Sequence, residues 1–124
     1  MAVERDRETI FATDETHDLI SSEKVDGTAV FSRDREKLGS IHHFMVGKRD
    51  GKVRYAVLSF GGLFGADRHH PLPWDVLTYN TEVGGYEIGL SKEQLKDSPS
   101  FDRNSEPNYD AEYDRGIQGY YNRR

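Results

Sequence analysis

Strong hydrophobic residues are crowded into the middle of this chain. Twenty of the 27 Leu, Ile, Val and Phe residues lie between Ser22 and Asp97, and beyond Asp97 only Phe101 and Ile117 remain. Burial of apolar surface drives folding. One globular core flanked by two lean arms is therefore the expected plan, and 124 residues suit a single domain.

Inside that core the apolar period is mostly two, the period of strands. Thr28–Ser32 is a short β-type run, and Arg33 to Lys37 is a polar turn. Leu38–Val46 follows, with Ile41, His43 and Met45 assigned to one face and His42, Phe44 and Val46 to the other. Asp50-Gly51 is a favoured hairpin pair, and it returns the chain into Val53–Phe60. Glycines at 61, 62 and 65 break that strand. Pro71 and Pro73, two apart, suit an edge or corner. Trp74-Asp75-Val76-Leu77 reads as one tight turn, with Asp75 as its cap, before strands near Leu77–Asn80 and Tyr86–Leu90. Ser91 and Gln94 form a capping box for a helix of at most two turns, stopped by Pro99. The expected fold is all-β: a small barrel with a short helix after the last strand and extended N- and C-terminal arms.

Charge and composition exclude several activities. Zero cysteines remove disulfides, thiolate metal sites and thiol catalysis. The net charge is −5, of which −4 falls between Met1 and Ser21, so the core is neutral and offers no generic footprint for nucleic acid. No apolar run approaches the ~20 residues of a spanning helix, so no membrane insertion is expected. The charged opening Glu4-Arg5-Asp6-Arg7 lacks a secretory apolar stretch, which makes the cytoplasm the expected address.

Several segments together resemble the PRC-barrel domain. They are Gly27 to Phe31, Lys37-Leu38-Gly39-Ser40-Ile41, the Gly61-Gly62-Leu63-Phe64-Gly65 break, His70-Pro71-Leu72-Pro73-Trp74-Asp75-Val76-Leu77, and Leu90 to Leu95. That family includes the cytoplasmic domain of a photosynthetic reaction-centre H subunit and the C-terminal domain of a ribosome maturation factor. The tail from Pro107 to Tyr121 looks like that of small stand-alone proteobacterial members. The resemblance implies a barrel over residues 18–101, an N-terminal arm 1–17 and a Tyr-rich C-terminal arm 102–124. Its structural signature is Gly39, Gly61, Gly62, Pro71, Pro73, Trp74 and Asp75. The first turn departs from the family's usual Asp-Gly, reading Asp34-Arg35-Glu36, so either a longer turn or Asp34 or Arg35 in an unfavourable backbone region is expected. The resemblance implies a binding or docking module rather than a chemistry.

No catalytic constellation stands out. There is no Gly-x-Ser-x-Gly elbow, and the glycine segment lacks the Gly-Lys-Ser/Thr ending of a phosphate loop. His69 and His70 with Asp67 offer a weak metal reading; the plainer reading has His70 shaping the turn and His69 solvated. No catalytic residue, metal or cofactor is therefore assigned. Apolar groups around three glycines, namely Phe60, Leu63 and Phe64, either tuck under the barrel or form a contact surface. Tyr109, Tyr113, Tyr120 and Tyr121 crowd four of the seven tyrosines into the tail, and Tyr109, Tyr113 and Ile117 share one helical face. Such a tail suits docking on the barrel or on a neighbouring subunit. Thr9-Ile10-Phe11-Ala12 has strand character and suits addition to an edge, here or in another subunit. The expected function is a non-enzymatic interaction or assembly module, self-associating as a homodimer. Two alternatives stand beside it. One is an RNA- or ribosome-associated adaptor using Lys48, Arg49, Lys52 and Arg54; the other is a metal- or ligand-binding protein using the His69/His70 loop.

Overall fold

A computed structural model describes residues 19, 21–25, 27–60, 68–102 and 104–122 of the chain. Its elements in chain order are α1 (Ser22–Val25), β1 (Ala29–Phe31), β2 (Lys37–Val46), β3 (Val53–Phe60), β4 (Arg68–Pro73), a 3-10 turn (Trp74–Val76), β5 (Thr78–Asn80), β6 (Gly85–Glu87), α2 (Lys92–Lys96), β7 (Phe101–Asp102) and α3 (Ala111–Tyr121). Alternation and the Asp50-Gly51 turn place β3 where expected, and Gly51 takes φ +71° to make that turn. Ser91 and Gln94 form both bonds of the capping box. The unusual first turn is made with Arg35 at φ +66°. The buried Ser32 hydroxyl supports it by accepting from the amides of Asp34 and Glu36.

The seven strands form one sheet in the order β5-β6-β1-β2-β3-β4-β7. All pairings are antiparallel except β1 with β6. Among the described residues the expected closed barrel is therefore not formed, and the sheet keeps two edges. The reason is strand length: β5 has three residues and β7 two, and they stand at opposite ends of the order. Side chains do part of the closing instead. The Trp74 ring, just past β4, lies 5.7 Å from that of Phe44 on β2 and 5.6 Å from that of Tyr86 on β6. The sheet thus curls about a shared core.

Pro71 and Pro73 face Val57 and Tyr55 across the β3–β4 ladder. Spaced two apart, their missing N–H groups both point away from β3, toward the margin that β7 covers only at Arg68 and His69. The edge expectation thus takes a definite form. β3 carries four consecutive buried residues, Tyr55 to Leu58, because both of its faces are covered. Ile117 and Tyr121 of α3 belong to the same hydrophobic core as Val30, Ile41, Leu58 and Leu72. The Tyr-rich tail is therefore not extended along 111–121; it is helical there and docks on its own sheet. Residues 1–17 lie outside the described residues, so the strand expectation for Thr9–Ala12 is not met or refuted there.

Candidate functional site

The docking of α3 creates a groove. Asp110 caps the helix by accepting from the Tyr113 amide at 2.9 Å, which fixes where the helix begins. One turn on, Asp114 accepts a hydrogen bond from the Tyr55 hydroxyl of β3. At the far end Tyr121 is buried, and the Tyr120 hydroxyl donates to the Gln94 carbonyl at α2. The helix is thus pinned to β3 and α2.

Between α3 and β3 lies an open cleft of about 460 Å³, lined by Arg54, Tyr55, Tyr109, Asp110, Ala111, Asp114 and Gln118. A second cleft of about 270 Å³ lies beside Trp74 and Asp75 and shares Arg54 and Gln118 with the first. The two adjoin at these residues, and we treat them together as one groove, with Tyr55 and Tyr109 at the larger cleft and Trp74 at the smaller. The Tyr55 and Tyr109 rings stand 5.5 Å apart, and Tyr113 meets Tyr109 edge-on at 5.4 Å. Burial and the Asp114 carboxylate push the Tyr55 hydroxyl well above the usual phenol range, so it stays a donor. Burial pushes Tyr109 up as well. The Tyr109 hydroxyl oxygen is buried and has no hydrogen-bond partner, a condition that costs about 1–3 kcal/mol unless something satisfies it. Arg54 is turned to Asp50, at 2.5 Å, so its charge is offset within the hairpin.

The sequence-derived candidates scatter around this site. Tyr109, Trp74 and Asp75 line the groove, and Tyr113 backs it. Asp75 sits inside the 3-10 turn, which has no side-chain cap, so its capping role is corrected. Phe60 is buried in the core at 8% exposure, against its assignment to a contact surface. At the end of β3 its ring packs edge-on against His70 rather than facing solvent. Gly61, Gly62, Leu63, Phe64 and Asp67 lie outside the described residues. Tyr55, Asp114 and Gln118 carry no such expectation in the sequence, and Arg54 was singled out there only for a basic surface. Tyr55 and Asp114 are 59 positions apart, and no local pattern joins them.

The histidines divide between two environments. His70 is buried; its Nδ1 lies 2.8 Å from the Ser98 hydroxyl, which itself donates to the Leu95 carbonyl. That hydroxyl has one proton, so His70 must donate Nδ1–H to it. Burial, with smaller contributions from Arg68 and His69, holds the His70 pKa down at about 4. His69 is also buried, at 4% exposure, against its expected solvation, because it packs between His42 and Phe101. The two neighbours have separate partners, as adjacent strand positions should. His42 and His43 do not follow that rule: their Nδ1 atoms are 2.8 Å apart. A β-bulge between Ile41 and His43 breaks the alternation there. Among the described residues no group of three His, Asp or Glu is placed to hold a metal ion. Nor is any described helix long and apolar enough to cross a membrane.

A small curled sheet with an aromatic plug and a helix-walled cleft is what the described residues form. The PRC-barrel domain model matches residues 17–95, more than half of the chain, and the protein belongs to that family. No curated protein matches the chain in sequence. The match ends at residue 95, so α3, the helical wall of the groove, lies outside the part of the chain that it covers.

Proposed function

We propose that this protein is a non-enzymatic interaction module that holds a segment of a protein partner in the groove between α3 and the β3–β4 end of the sheet. The observation that carries this reading is the groove itself, with the core-anchored helix α3 as one wall and Tyr55, Tyr109 and Trp74 supplying aromatic surface. Its combined size lies in the range of pockets that bind ligands or side chains. PRC-barrel domains are in general non-catalytic, which agrees with it.

Photo-crosslinking tests the location. Ala111 lines the groove and is exposed, and Glu93 is exposed on α2 outside it. A benzophenone side chain at 111 should give a discrete protein adduct in the native cell, and one at 93 should not. Equal labelling from both positions, or none from 111, would sink the reading.

A second reading, self-association, rests on Leu63 and Phe64 among the glycines of 61–65. Sedimentation at micromolar concentration should then show a dimer that Leu63→Asp dissociates. A strict monomer counts against it.

A further inference from the structure

Three carboxylates border the groove. Asp110 and Asp114 border the larger cleft and Asp75 the smaller, whereas Arg54 is the one basic residue in either lining and is already paired with Asp50. No lysine or histidine lines the groove. Among the described residues the hydrogen bonds to both Asp110 and Asp114 fall on Oδ1, and Oδ2 carries none. The half-buried Tyr109 presents ring surface beside these carboxylates, with the buried Tyr55 ring 5.5 Å from it. Carboxylates and aromatic faces together attract cations and repel anions.

Resting on the groove reading, we propose that the partner's segment is basic, and that an arginine or lysine side chain enters the 460 Å³ cleft between Tyr109 and Asp114. Its N–H groups donate to the Oδ2 atoms of Asp110 and Asp114, while its methylene stem lies along the half-buried Tyr109 ring. The smaller cleft by Trp74 and Asp75 takes a neighbouring residue of the same segment, since the two clefts join through Arg54 and Gln118. That continuity favours an extended peptide over a free small cation.

The probes are a capped Gly-Arg-Gly-Arg-Gly peptide, its Glu counterpart and spermidine, titrated into the full ¹⁵N-labelled chain at low ionic strength. The Arg peptide should shift the amide resonances of Tyr55, Ala111, Asp114 and Gln118, and the Glu peptide should leave them unmoved. Ala111→Lys places a cation in the groove at an exposed position in the first turn of the helix. It should weaken the Arg peptide by roughly tenfold, while Ala111→Glu should hold or tighten binding. An unchanged affinity in Ala111→Lys overturns the proposal. So do shifts confined to the acidic residues before Ser22, or spermidine binding at the same resonances as tightly as the peptide. If the Glu peptide moves the groove resonances instead, the groove remains a binding site and the cation assignment alone fails.

Discussion

At the scale of single residues, two glycines with opposite environments make a sharp comparison. A Cβ at Gly39 of β2 would collide with the Ser59 carbonyl oxygen of β3, a backbone atom that cannot swing aside. Gly39 is therefore required by the close approach of two strands rather than by an unusual φ. Gly39→Ala should cost about 2–3 kcal/mol, the order expected for overpacking against backbone. Gly116, in the middle of α3, has nothing within 4 Å of its missing Cβ. There Ala should add about 0.5–1 kcal/mol by restoring helix propensity. Urea unfolding of the two variants beside the parent checks both, and the same sign for both would refute the assignment. Gly39 was legible as a signature position through the family resemblance. The physical reason for it was not, because the atom it avoids lies on another strand.

At the scale of elements, the question is whether α3 is an appendage or part of the core. Ile117 is 1% exposed and sits in the cluster with Leu58 and Leu72. If that packing sustains the whole sheet, Ile117→Ala should lower global stability by about 2–4 kcal/mol and keep one unfolding transition. If α3 were an appendage, the sheet would unfold at an unchanged urea concentration while the helix frayed early. Circular dichroism, which follows the helix, and the fluorescence of Trp74, the chain's single tryptophan, separate the outcomes. The spacing of Tyr109, Tyr113 and Ile117 announced a helical face in the sequence. What it could not announce was the opposite wall, since Tyr55 shows only strand alternation until the tail folds over it. β7 was equally silent, because two residues carry no period. The parallel β1–β6 pairing was silent for another reason: register between distant strands is set by the assembled core. At His42 and His43 the period-two assumption itself misled, since a bulge is invisible to a pattern that presumes its absence.

At the scale of the whole molecule, the buried His70 couples stability to pH. The unfolded chain takes up a proton on this imidazole as pH falls through about 6.5, the folded chain only through about 4. Between those values the unfolded state binds more protons, so stability must fall as the solution is acidified through that window. Stability is undiminished above about pH 6.5, and the loss reaches about 3 kcal/mol once both forms are protonated, below about pH 4. Above pH 5 most carboxylates remain ionised, so the range from pH 7 to 5 isolates the histidines. The chain holds four other histidines, so a difference measurement isolates His70. His70→Gln keeps a donor for Ser98 and removes the titration. The urea midpoint of the parent should therefore drop more steeply from pH 7 to 5 than that of His70→Gln, by about 2 kcal/mol in all. Parallel pH profiles for the two proteins would show that His70 takes its proton freely in the folded state, and that its burial does not set the acid limit of the fold.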